Sequence, residues 1–496
     1  MSRGPMPEAQ APVPPPGAPG EAEAPPAFSR KWWVLVTVMV GTFMGPFDGS
    51  VVNIALPRLT EYFGVGVTTV EWVVVAYLLT VSTFLLTFGR LGDMIGLKKI
   101  YLAGFAIFVL GSGACALAWN IWALVGFRVL QALGAGMLFA VGPAIVTHAF
   151  PPTERGKALG FVGVSVAVGL ALGPTLGGFL IGIYDWHLIF LVNLPVGLFA
   201  LVLAWRVLSY DEPHDQRFDP LGSVTSFVAL FPLLLALSRG EAWGWDSPLV
   251  LGLFALSAAG AVSFVVTELR VEQPVLDLGL FRIRLFSAAT LSAMASYVVT
   301  STVIFTIPFY LINIRGFPVQ VAGLLLTPVP LMTAIFGPLS GSWSDRIGSR
   351  FLSTTGLLIS AVGVASLAGL ERDTGTVGIV GRLLLIGVGM GLFQSPNTSA
   401  IMGSVPRHRL GIASGMVATA RNVGMVLGVS LAAMVIAVRE PVYLGRLLAE
   451  LGRETAEKEA FLRAEHDAAW LAAGICLLGA LVSLVRGQPG TGQVRG

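Results

Sequence analysis

Fourteen apolar runs, each long enough to cross a bilayer as a helix, constrain this chain more than any other feature. A hydrocarbon core of about 30 Å calls for about 20 consecutive apolar residues. Such runs recur at 33–56, 70–88, 100–118, 121–146, 157–181, 188–208, 220–237, 248–267, 286–311, 319–342, 351–370, 377–401, 411–437 and 468–486. Only 12% of the 496 residues are charged, about half the share of a soluble domain. The pattern predicts an all-α integral membrane protein.

Charge placement predicts the orientation. Most basic residues fall on alternate connections, among them Arg30, Lys31, Arg90, Lys98, Lys99, Arg155, Lys157, Arg346, Arg350, Arg407 and Arg409. By the positive-inside rule those connections are cytoplasmic, and an even number of spans puts both termini on that side. Residues 1–29 are rich in proline, alanine and glutamate with no apolar core, so they read as a disordered tail and not as a signal peptide. Arg30-Lys31-Trp32-Trp33 reads as an interfacial anchor. Segment 438–467 is the longest external connection. Leu444, Leu447, Leu448 and Leu451 recur there at helical spacing, which fits either an amphipathic surface helix or a solvated hairpin.

Several function classes drop out. Cys115 and Cys476 lie in apolar runs, which excludes a disulfide framework and a CxxC zinc site. The histidines are scattered without metal-ligand spacing. No G-x-x-x-x-G-K-[ST] run marks a nucleotide site. Nothing resembles the clustered acids, histidines or metal ligands of a membrane enzyme.

Charges inside apolar spans carry more weight. Asp48 sits in span 1, and no other acid appears placed so deep. A carboxylate at mid-membrane costs about 3 kcal/mol or more. It therefore faces a polar cavity or is protonated, which is what a proton-coupled carrier needs; alternatively it caps a helix break near Gly45-Pro46. Arg128, Arg382 and Arg421 also fall within spans. An arginine there stays charged and either faces the bundle interior or braces helices by binding carbonyls.

Residues 89–98, GRLGDMIGLK, and 341–350, GSWSDRIGSR, share G-x-x-x-D-x-I-G between apolar spans. This internal echo marks two homologous halves. Six spans per half leaves spans 7 and 8 between them. The expected organisation is a tail at 1–32, a six-helix bundle at 33–208, a two-helix insertion at 209–284, a second bundle at 285–487 with an external hairpin at 438–467, and a tail at 488–496.

At this point the chain resembles the major facilitator superfamily, in particular its fourteen-span drug:proton antiporter branch. Asp48-Gly-Ser-Val-Val-Asn53-Ile-Ala-Leu-Pro57 is similar to that branch's D-x-T-V-V-N-V-A-L-P signature. Gly89 to Lys99 matches the cytoplasmic loop motif, and Arg128-Val-Leu-Gln131-Ala-Leu-Gly134-Ala-Gly136 the R-x-x-Q-G-x-G-x-A pattern. Gly169-Leu-Ala-Leu-Gly173-Pro174-Thr-Leu-Gly177-Gly178 matches the antiporter motif, and Gly411 to Gly428 resembles a span 13 signature. Together they imply a major-facilitator fold of two six-helix bundles plus two extra helices.

The resemblance implies roles for these residues. Gly89, Asp93, Gly96 and Lys98, with Asp345 and Arg346 in the second half, would form latches that hold the cytoplasmic side shut. Glycine permits close approach, and an aspartate can cap an opposing helix N-terminus. Met94 stands where the family usually has a basic residue, so the first latch should lack an ion-pair partner and the second, with Arg346, should matter more. Asp48 and Arg128 would serve proton coupling, Arg128 by setting the protonation state of a nearby acid or water. Gly169, Gly173, Pro174, Gly177 and Gly178 would form a kinked, close-packing surface between the halves. Phe43, Phe47, Asn53, Trp72, Tyr77, Gln131, Phe139, Asn397 and Arg421 are candidates for the substrate cavity, where aromatic faces suit lipophilic cations.

The expectation is a proton-coupled exporter of lipophilic, cationic drugs across the cytoplasmic membrane. The rivals are the same fold exporting a lipid, an endogenous metabolite or an antibiotic, and an uncoupled facilitator. Expected partners are a lipophilic small molecule, protons and membrane lipid, with no nucleic acid, no metal and no cofactor beyond the proton gradient. An adaptor protein is left open.

Overall fold

The computed structural model describes residues 30–183, 185–209, 218–448 and 451–486. The tails expected at 1–29 and 488–496 lie outside them. Among the described residues, fourteen helical spans are long and apolar enough to cross a membrane. They are α1 (Arg30–Phe63), α2 (Val67–Ile95), α3 (Leu97–Ala116), α4 (Ile121–Ala149), α5 (Arg155–Gly182), α6 (His187–Val207), α7 (Pro220–Gly240), α8 (Pro248–Glu268), α9 (Arg284–Ile314), α10 (Val321–Ile347), α11 (Ser349–Leu367), α12 (Thr376–Gly403), α13 (Arg407–Leu447) and α14 (Arg453–Val485).

The helices fall into two packed groups. α1 packs on α4, α5 and α6, and α4 on α2 and α3. In the other half α12 packs on α10 and α11, and α9, α13 and α14 pack on one another. Two seams join the halves, α2 on α13 and α5 on α10. The hairpin α7–α8 sits outside this arrangement. α7 lies against both α2 and α13, and Ser430 Oγ donates to the Leu237 carbonyl at 3.1 Å. Glu71 of α2 pairs with Arg239 of α7 at 2.6 Å. With Glu71 43% exposed, that pair is worth about 1 kcal/mol or less.

Two expectations about helix ends change. Asp48 does not cap a break, because α1 continues through both Pro46 and Pro57. Segment 438–467 is not a connection laid on a surface. α13 runs on to Leu447 and α14 begins at Arg453, so most of the segment extends two antiparallel helices. Pairs at i, i+4 hold the extension: Arg453–Glu457 at 3.0 Å, Lys458–Glu454 at 2.7 Å and Arg463–Glu459 at 3.0 Å. Each adds a few tenths of a kcal/mol to a helix. Leu447, Ala456 and Ala460 bury one another, and Arg439 joins Asp467 across the pair at 2.6 Å. Leu448 and Leu451, by contrast, are 47% and 36% exposed.

Candidate functional site

The deepest charge is paired. Asp48 and Arg128 are both 0% exposed, and Arg128 Nη1 donates to Asp48 Oδ2 at 2.5 Å. The other carboxylate oxygen accepts from Gln131 Nε2 at 2.9 Å and Asn193 Nδ2 at 3.0 Å. Ser112 accepts from the same two amides at 3.2 and 3.1 Å and donates to the Phe190 carbonyl at 2.9 Å. Arg128 also donates to Gln131 Oε1 at 2.7 Å and to the Val73 carbonyl at 3.2 Å, and it lies 4.0 Å from the centre of the Tyr77 ring. Residues of α1, α2, α3, α4 and α6 thus converge on one carboxylate, which answers its burial with charge and hydrogen bonds.

The sequence reading named Asp48, Arg128, Gln131 and Tyr77 but placed the last two in a substrate cavity. It missed Ser112 and Asn193. Asn193 carried a usable signal, a lone amide inside an apolar run. The reading also held Asp48 to be the only deep acid. Glu465 of α14 is 3% exposed, with Thr306 of α9 as the hydrogen-bonding side chain beside its carboxylate. The charged residues around it in sequence hid it.

Both latches are engaged. Asp93 Oδ1 accepts from the Gly411 amide at 2.6 Å and Oδ2 from the Ile412 amide at 2.8 Å, capping the start of α13. Asp345 accepts from the Gly156 and Lys157 amides at 3.0 and 3.2 Å, capping α5. A carboxylate at a helix N-terminus answers unpaired amides and the helix dipole together. Gly96 (φ 105°) and Gly348 (φ 88°) make the matching turns that carry the two aspartates. Gly89 lies so close to Gly411 that no side chain fits between them. The end of the bundle that holds these contacts is called here the latch face.

The geometry favours the opposite ranking of the two latches. The Asp93 latch, with Met94 directly after the aspartate, is the more buried, with Asp93 7% exposed and its bonds shorter. Arg346 is exposed and makes no ion pair among the described residues. Backbone amides bond both aspartates, while the charges of Arg90 and Arg409 act on Asp93 and that of Arg155 on Asp345. Asp93→Asn is therefore expected to slow transport more than Asp345→Asn, several-fold in initial rate; equal losses would count against this ranking. Lys98 is not in the latch, and its Nζ donates to the Trp205 and Leu208 carbonyls at the end of α6, at 2.8 and 2.6 Å.

The glycine face of α5 also serves a different partner. A Cβ on Gly169 would lie 2.8 Å from the Phe43 carbonyl oxygen, and one on Gly177 3.2 Å from Val51. Gly173 packs on Ser50. These glycines bring α5 onto the stretch of α1 that flanks Asp48, within one half. Gly178 faces open space, and the side chain of Pro174 lies outside the described residues. The seam to the other half uses Gly156 and Gly160, against Gly341 and Gly337.

A cavity of about 120 Å³ lies between the halves above this seam. Of the cavity candidates it is lined by Phe139 and Arg421, with Gln394, Tyr297 and Thr398 beside them. Phe43 and Phe47 stack on each other at 5.2 Å against the α5 glycines. Trp72 lies under Arg239 at 4.7 Å. Asn53 is exposed. Asn397 donates to the Ala289 carbonyl at 2.9 Å and accepts from Arg486 at 3.2 Å.

Two helix groups joined by matched latches at one face and enclosing a cavity at mid-depth are built as a membrane transporter, not an enzyme. The chain belongs to the Major Facilitator Superfamily, whose profile matches residues 38–429. It is 32% identical to the riboflavin transporter RibZ of Clostridioides difficile over 92% of this chain and 97% of that one. It is 35% identical to the multidrug resistance protein Stp of Mycobacterium tuberculosis, covering 82% and 77%. The solved structure of the proton:xylose symporter XylE shares the fold at 15% identity, with a TM-score of 0.61 over 91% of this chain and 94% of that one.

Proposed function

We propose that this transporter exports lipophilic small molecules across the cytoplasmic membrane in exchange for protons, with the latch face cytoplasmic and Asp48 as the proton-binding group. The observation that carries this reading is the sealed Asp48–Arg128 pair. Protonating Asp48 removes its charge and leaves Arg128 buried without a counter-charge. Breaking one side of a buried pair costs about 3–5 kcal/mol, so proton binding cannot occur with the surroundings unchanged. The glycine contacts of α5 with residues 43–51 would transmit that change to the helix whose other end carries a latch. The cargo enters from the latch face when both latches open. It leaves from the opposite face in the state seen here, and a proton binds before the return.

Relatives named for multidrug resistance support a drug-like cargo, and the riboflavin transporter supports a single flat metabolite as the alternative. The cationic cargo expected from the aromatic residues has no anchor: no aspartate or glutamate lines the cavity among the described residues. The test is accumulation of ethidium and of riboflavin in energised inside-out vesicles, with and without a protonophore. Proton-coupled export predicts accumulation of at least one, abolished by the protonophore. Movement that ignores the protonophore would make the protein a facilitator and Asp48 a structural residue.

A further inference from the structure

The three arginines that the apolar runs place inside spans, Arg128, Arg382 and Arg421, do three different things. Arg128 is neutralised by Asp48. Arg382 braces α12, donating to the Ser366, Gly378 and Gly369 carbonyls at 2.9, 3.0 and 3.1 Å. Arg421 does neither. It projects from α13 into the central cavity, and its only hydrogen bond among the described residues is a long one, 3.4 Å, from Nε to Asn422 Oδ1. Asn422 is itself held by Ser82 of α2 at 3.0 Å. The guanidinium lies 5.0 Å from the centre of the Phe139 ring. Around it the cavity offers Tyr297, Gln394, Thr398 and Thr333, all neutral.

A guanidinium does not lose its proton at any relevant pH. An unpaired charge at membrane depth is costly and marks a functional site by default. A cation stacked on a ring keeps its in-plane N–H groups free, and two parallel N–H bonds suit a carboxylate or a similar planar anion. We infer that Arg421 is the cargo anchor, and that the cavity selects flat aromatic molecules bearing an anionic group, which pairs with Arg421 while the ring system packs beside Phe139 and Tyr297. This rests on the export reading above and narrows its cargo class. At about 120 Å³ the cavity holds the anchored end of such a molecule, because a whole drug-sized ligand needs about 300–1,000 Å³. The rest extends toward the face opposite the latches, along which α5 and α10 part: a Cβ at Gly163, unlike one at Gly156 or Gly160, meets nothing within 4 Å. The same field repels cations of matching shape.

The test uses two dyes with the same tricyclic body and opposite charge, fluorescein and rhodamine 123, with the full chain in detergent and in proteoliposomes. Fluorescence anisotropy should show fluorescein binding at least tenfold tighter than rhodamine 123. Arg421→Gln should erase that preference, and Arg421→Lys should keep part of it. Gln394→Glu, which leaves Arg421 in place but adds an acid to the same cavity, should weaken fluorescein and strengthen rhodamine 123, so the inference stays testable if Arg421→Gln does not fold. A charge-blind wild type, a preference for rhodamine, or no binding of either dye overturns the inference. In the proteoliposomes, fluorescein transport indifferent to a protonophore, with the binding preference intact, would sink proton coupling and leave the Arg421 site standing. Protonophore-sensitive transport with charge-blind binding would do the reverse.

Discussion

Asp48→Asn is expected to abolish gradient-driven transport, by at least a hundredfold in initial rate, while leaving a folded protein that still binds cargo. An amide fills the same space but cannot take up a proton, and it cannot neutralise Arg128. The variant therefore also loses stability, by about 3–5 kcal/mol if nothing relaxes, visible as a lower midpoint in thermal unfolding. The double variant Asp48→Asn/Arg128→Gln separates the two effects. Removing both charges should restore most of the stability, because a buried pair contributes little relative to neutral partners. It should restore no coupled transport. A double variant that pumps as well as the native chain would show that Asp48 only balances Arg128, and the proton site would have to be sought elsewhere, with Glu465 the next acid to test.

The second large effect belongs to the seam at the latch face. Gly156 and Gly341 meet backbone to backbone: a Cβ on Gly156 would lie 2.5 Å from the Gly341 carbonyl oxygen and 2.7 Å from Asp345 Oδ1. Neither backbone can yield as a flexible side chain would. Gly341→Val should hold α5 and α10 apart and prevent Asp345 from reaching the Gly156 and Lys157 amides. Overpacking of this kind costs about 1–3 kcal/mol, and each 1.4 kcal/mol moves an equilibrium tenfold, so the shut state should become the minor one. Spin labels at Lys157→Cys and Arg346→Cys report the change as a longer distance, since the native Cys115 and Cys476 are buried and will not label. Export should fall at least tenfold. Gly182→Val, with nothing within 4 Å of its Cβ, is the control. An unchanged label distance in Gly341→Val would remove this seam from the gating mechanism.

Much of the latch was legible beforehand. The two G-x-x-x-D-x-I-G segments predicted two turns, two close helix contacts and two aspartates able to cap helices, and each is present. A ranking by the basic neighbour in sequence overlooks the amides that bond the two aspartates, which lie more than 180 residues away in the chain. The antiporter glycines failed in the same way. Their spacing correctly predicts that a helix comes close, but spacing cannot name the helix, and the partner is α1 and not the other half. The aromatic candidates failed most widely. Phe43, Phe47, Trp72 and Tyr77 share the composition of a binding surface, yet each is taken up by packing or by an arginine, and only Phe139 reaches the cavity.

The sequence by itself determined the number of helices, the limits of most of them and the placement of Asp48, Arg128 and Arg421 within spans, because the bilayer demands a fixed length of apolar residues and hydropathy is a local property. It determined too that Asp48, Arg128 and Arg421 needed an explanation, since burying a charge is costly wherever it occurs. Only the tertiary structure decided how each cost is met. Asp48 and Arg128 are 80 residues apart and meet because α1 and α4 pack at one angle and register. Among the described residues Arg421 finds no such partner, because α13 turns it toward the space between the halves. Pairing depends on the rotation of each helix about its axis, which interhelical packing sets, and no single span encodes it.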